Sequence, residues 1–134
     1  MSGLRAEIVA FWSPDVDDLE VWAPATTEFQ FYLQFTLHEP GVLGEDVFGV
    51  TVRSVAQLRA DLSAGTPIAC SRSIVVEDYD WTAIQGCVQS SIEALATRTC
   101  EWSGLLYDAS LIFDWEGSGQ LRQLLVDHDP GIIG

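Results

Sequence analysis

The residues in this chain best suited to chemistry are carboxylates, and they come in two nodes. Asp15, Asp17, Asp18 and Glu20 fall within six residues, directly after a strand-like run that stops at Ser13-Pro14. Glu77, Asp78 and Asp80 flank Tyr79 just before Trp81. Clustered acidic oxygens suit three tasks: holding a hard cation, moving protons as an acid and base pair, or presenting negative charge to a cationic partner. A calcium loop of the EF-hand kind needs Gly at its sixth position and a carboxylate at its twelfth. Counted from Asp15, those positions hold Glu20 and Thr26, so the ligand pattern fails and no metal is expected. An acid and base pair needs two carboxylates held at a fixed separation across a cleft, a distance that sequence does not specify.

Other catalytic signatures are missing. His38 and His128 are the two histidines, far apart in sequence, and no Ser sits in a GxSxG elbow. All six basic residues are Arg, so there is neither a Lys-containing phosphate loop nor a Schiff-base amine. No catalytic residue, cofactor or enzymatic activity is therefore expected. Cys70, Cys87 and Cys100 are odd in number and lack CxxC spacing, which predicts buried, reduced thiols rather than disulfides or a zinc site.

The charge balance bears on partners but alone decides little, since acidity also simply keeps a protein soluble. Twenty acidic residues against six basic ones leave a formal net charge of −14. A field of that sign repels nucleic acid and anionic membrane and attracts basic proteins. With 134 residues, 48% of them hydrophobic, the chain has material for one packed core, so residues 1–134 are expected to form a single domain. The N-terminus lacks a signal-peptide pattern and no run reaches membrane-span length, which predicts a cytoplasmic protein.

The elements that must position the two nodes follow from periodicity. Residues 4–12 alternate, with Val9 and Phe11 adding a second apolar face, and predict an interior strand covered on both sides. Residues 28–38 place Phe29, Phe31, Leu33, Phe35 and Leu37 on one face; residues 47–53 read as the returning strand of an antiparallel hairpin. Ser54 caps a helix with Val55, Leu58 and Leu62 as its stripe, and residues 68–77 contain another strand centred on 73–76. Asp80 then caps the longest helix, whose stripe is Trp81, Ile84, Val88, Ile92 and Leu95. A short helix over 101–109, a strand over 111–116 facing Leu111, Phe113 and Trp115 one way, and a helix over 118–127 complete the chain. Elements in this order do not alternate regularly enough for a doubly wound fold. They predict an α+β protein, a mostly antiparallel sheet covered by helices in a two-layer sandwich. Trp22, in the loop beside the first acidic node, is either an interface anchor or a lid over the hairpin.

Four segments together resemble the immunity protein 8 family. They are Ser13-Pro14-Asp15-Val16-Asp17-Asp18-Leu19-Glu20, the aromatic strand over 29–37, Val75-Val76-Glu77-Asp78-Tyr79-Asp80-Trp81, and Phe113-Asp114-Trp115-Glu116. The resemblance covers residues 6–116 and leaves 117–134 as a C-terminal extension. It implies a non-enzymatic inhibitor from a bacterial polymorphic toxin system, which binds and neutralises a cognate toxin domain. A basic nuclease is one target that the acidic charge would suit. On this reading Asp15, Asp17, Asp18, Glu20, Glu77 and Asp78 form the partner-binding set with Trp22 as anchor, while Asp80 and Trp81 serve as cap and core. The alternative is an acidic adaptor or nucleic-acid mimic with no dedicated toxin.

Overall fold

A computed structural model describes residues 4–68 and 72–116. The chain runs β1 (Glu7–Trp12), β2 (Gln30–His38), β3 (Asp46–Ser54), α1 (Val55–Ser63), β4 (Ser73–Val76), α2 (Trp81–Thr97), α3 (Trp102–Ser110) and β5 (Asp114–Trp115). The strands form one five-stranded sheet in the order β1-β2-β3-β4, and β5 also pairs with β3. All pairings are antiparallel except β3 with β4, which are joined by α1. This is the α+β architecture expected from the sequence.

The alternation in β2 dictates the core. Phe31, Leu33, Phe35 and Leu37 are at most 2% exposed, and across the ladder they meet Val52, Val50 and Phe48 on the same face. Against that face lie Ile84, Val88, Ile92 and Leu95 of α2 and Leu105 and Ala109 of α3, all in one contiguous apolar cluster. Phe35 stacks on Phe48 at 5.8 Å and meets Phe113 edge-on at 5.1 Å. Each fully buried side chain of this size stabilises the fold by about 1.5–3 kcal/mol, so this layer dominates stability. At the rim of the layer, the Asp46 carboxylate accepts from the indole N–H groups of both Trp102 and Trp115, each at 3.3 Å.

The opposite face of the sheet is polar. Tyr32 donates to Asp114 Oδ2 at 3.1 Å, and Gln34 Nε2 donates to Glu116 Oε1 at 2.8 Å. The Tyr32 ring lies across Gly49, where an added Cβ would fall 1.9 Å from the phenol oxygen. Arg72 donates to the Ser110 carbonyl through Nε and Nη2, at 3.2 and 3.0 Å, and pairs with Asp114 at 3.6 Å. The bridge comes with a positive φ of 53° at Arg72, a conformation costly for a side chain of its size.

Four expectations change. β1 is an edge strand, not an interior one: among the described residues it pairs with β2 alone, and Val9 is 53% exposed. A bulge at Val9 breaks its alternation, so Ile8 and Phe11 pack against the core while Ala10 and Trp12 face outward. The Ser54 helix forms, its cap oxygen accepting from Gln57 N–H at 3.0 Å, but it buries no residue, and Leu62 is 58% exposed. The strand over 111–116 shrinks to Asp114–Trp115, because α3 continues to Ser110 and leaves Leu111 at its exposed C-cap. Cys87 and Cys100 are exposed thiols rather than buried ones, since their helix and loop positions turn away from the stripe. Cys70 and the helix expected over 118–127 lie outside the described residues.

Candidate partner-binding site

The first acidic node is held in place by its uncharged neighbours. Pro14 stops β1, and Ser13 Oγ accepts from the backbone N–H groups of Asp15 and Val16 at 3.0 and 3.2 Å, which turns the chain. Val16 and Leu19 then enter the core as two apolar pegs, at 4% and 7% exposure. Between and beyond them Asp17, Asp18 and Glu20 are exposed. Asp18 closes the turn, its Oδ1 accepting from Glu20 N–H at 3.0 Å and its carbonyl from Trp22 N–H at 3.0 Å.

Trp22 is half-buried. Its ring meets Tyr79 at 4.8 Å, Phe31 at 5.3 Å and Phe29 at 5.8 Å, all edge-on. Tyr79 also donates its hydroxyl to the Leu19 carbonyl. Burial, and then the negative charge of Asp18, raise the Tyr79 phenol above its ordinary range, so it stays protonated as that donor. This aromatic group ties the second acidic node to the first.

Asp15 takes another course. Its Oδ2 accepts from the backbone N–H of Tyr32 at 2.8 Å. That N–H lies just past the last β1–β2 pair, Trp12 with Gln34, where the next chain position is occupied by the turn at Pro14. The carboxylate thus finishes a ladder that the chain itself has left.

The second node divides similarly. Asp80 caps α2, its Oδ1 accepting from Ala83 N–H at 3.1 Å, while Glu77 and Asp78 are exposed in the preceding turn. Two adjoining grooves join the nodes. One, of about 460 Å³, runs along β1 from Ile8 to Ser13 and includes Asp17, Asp18 and Glu20 in its lining. The other, of about 720 Å³, holds Asp78 and Asp80, and the two share Glu20, Trp81 and Gln85. The fold therefore brings Asp17, Asp18 and Glu20 together with Asp78. Asp15 and Glu77 line neither groove, and Trp22 lines the second with a ring already packed internally.

Sequence reasoning missed Glu7, Glu93 and the polar row Gln85, Gln89 and Glu93, which continue the same seam toward the other end of α2. The signal was present: these three residues recur every four positions beside the apolar stripe, so they share a helix face. Among the described residues no group of three or more His, Cys, Asp and Glu is placed to hold a metal ion, and no helix is long and apolar enough to cross a membrane.

The structure is thus a helix-covered, mostly antiparallel sheet with exposed carboxylates along an open groove. The family model described as Immunity protein 8 matches residues 6–119, and the chain belongs to that family. Membership makes it an immunity protein of toxin systems, one that binds a cognate toxin protein, in a family that is generally non-enzymatic. No curated protein and no solved structure matches the chain.

Proposed function

We propose that this protein neutralises its toxin by laying the acidic groove against a basic surface of the toxin domain, as a nuclease that grips phosphate would present. The observation carrying this reading is the meeting of two acidic nodes, distant in sequence, along one open seam. Asp17, Asp18, Glu20 and Asp78 make the contact and Glu77 flanks it, while Asp15 and Trp22 hold the loop in its binding shape. A charge of −14 raises the encounter rate with a cationic partner by roughly 10 to 10³ fold at low salt and disfavours nucleic acid and anionic membrane as partners. The protein acts in the cytoplasm, where such a toxin would arrive.

The test is calorimetric titration with the toxin domain encoded beside this gene, at low and at high salt, with the Asp17→Lys/Glu20→Lys variant alongside. Tight stoichiometric binding that weakens with salt and falls at least ~10-fold in the variant is expected. Binding indifferent to both changes would remove the acidic groove from the interface. Equal binding to unrelated basic proteins would favour an acidic adaptor instead.

A further inference from the structure

The seam beside β1 has a property that its charge alone does not describe. The Tyr32 N–H is directed to the β1 side, where it meets Asp15. Alternate residues of β2, namely Gln34, Thr36 and His38, therefore turn their backbone groups toward β1, where Trp12, Ala10 and Glu7 stand opposite them. Ile8 and Phe11, opposite Leu37 and Phe35, must then point their N–H and C=O groups away from the sheet, to the open side. Among the described residues β1 is the longest free edge of this sheet, since the opposite edge is divided between the four residues of β4 and the two of β5. A free edge with unpaired backbone groups is a template for another strand.

The space beside that edge is a trough. Grooves succeed one another between β1 and α2, from Leu4 and Thr97 at one end to Asp78 and Trp81 at the other. Carboxylates line its whole length: Glu7 on β1, Asp17, Asp18 and Glu20 in the loop, Asp78 and Asp80 before α2, and Glu93 on α2, against a single Arg5. The same charges on a second copy would repel it, which rules against pairing of two β1 edges.

We infer that the β1 edge receives an extended, cationic segment of the toxin domain as an added strand, with its backbone paired to Ile8 and Phe11 and its Arg or Lys side chains met by the trough carboxylates. This rests on the toxin-binding reading above and specifies how the partner is held. Main-chain pairing supplies affinity without regard to sequence, and the flanking carboxylates select for positive charge.

Backbone hydrogen exchange of the full chain, free and bound to the toxin domain encoded beside its gene, tests the inference. The amides of Ile8 and Phe11 are expected to slow at least ~10-fold on binding, while Ala10 and Trp12, already paired with β2, serve as internal references. The Glu7→Lys/Glu93→Lys variant, altered outside both acidic nodes, should bind at least ~10-fold more weakly, and Glu45→Lys, away from the trough, should bind as the parent does. Tight binding without protection of Ile8 and Phe11 overturns the added strand and leaves the toxin-binding reading standing. Protection of these amides in the free protein that grows with its concentration would assign the edge to a second copy and overturn the cationic occupant. No toxin binding under any condition would overturn both.

Discussion

Replacing Gly49 by Ala should change sign with its background. In the parent protein the new Cβ falls 1.9 Å from the Tyr32 oxygen and 2.3 Å from Cζ, so the ring has to swing away. Swinging it breaks the 3.1 Å hydrogen bond to Asp114. A hydrogen bond to a charged acceptor contributes about 1.5–3 kcal/mol when well formed; at this partly exposed site the lower end applies. Ala in place of Gly in a strand returns about 0.5–1 kcal/mol by restricting the unfolded chain. The net for Gly49→Ala is a loss of about 1 kcal/mol by these two magnitudes. In a Tyr32→Ala background the clash and the hydrogen bond are both gone, so the same substitution should stabilise by about 0.5 kcal/mol. Urea denaturation of the four proteins gives the cycle directly, and a coupling of about 1.5 kcal/mol is expected. If Gly49→Ala has the same effect in both backgrounds to within ~0.3 kcal/mol, the ring does not rest on that glycine and the reasoning fails.

Two further outcomes are expected. Asp15→Ala should cost about 1 kcal/mol in urea denaturation by orphaning the Tyr32 N–H, and Asp15→Asn should recover most of it because an amide oxygen still accepts; equal losses would deny Asp15 its place at the end of the ladder. The Tyr32 phenol is pushed up from 10.0 to about 12, first by burial and then by the negative charge of Asp114. Between those values the unfolded chain has released a proton that the folded one keeps, so this contribution to stability is whole below pH 10 and is lost as pH rises toward 12. Chemical denaturation across that interval should show a shallower fall for Tyr32→Phe, and an unchanged slope would refute the assignment.

The sequence shows the interior more readily than the edges. β2 and α2 are legible because each buries one face completely, so strict periods of two and of three to four survive in their residues. Whether a strand has one neighbour or two is a property of its surroundings, and the apolar second face of β1 suggested an interior place where the described residues put it at an edge. The bulge at Val9 compounds this. One extra residue changes the parity, and Ile8 joins Phe11 rather than Ala10 and Trp12. The α1 stripe failed for a different reason: Ser54 is sufficient to start a helix, but a cap says nothing about whether the helix finds a core to cover. At the candidate site the acidity of each node was plain, whereas their approach depends on Tyr79 reaching Leu19, 60 residues away, and Trp22 beside it. That aromatic pairing has no periodic signature.

The double use of one β3 edge bears on the order in which the protein assembles. Along that edge β3 pairs with β4 through Thr51–Ser54 and with β5 through Phe48 and Gly49. The hairpin with β2 is local, but β5 closes a loop about three times as long as β4 does, adding roughly 1 kcal/mol of closure entropy. β5 is thus expected to dock last, carrying Phe113 into the core and Trp115 to Asp46. Interactions made after the rate-limiting step govern how fast a native state comes apart rather than how fast it forms. The lifetime of the folded protein would then be controlled from its last short strand.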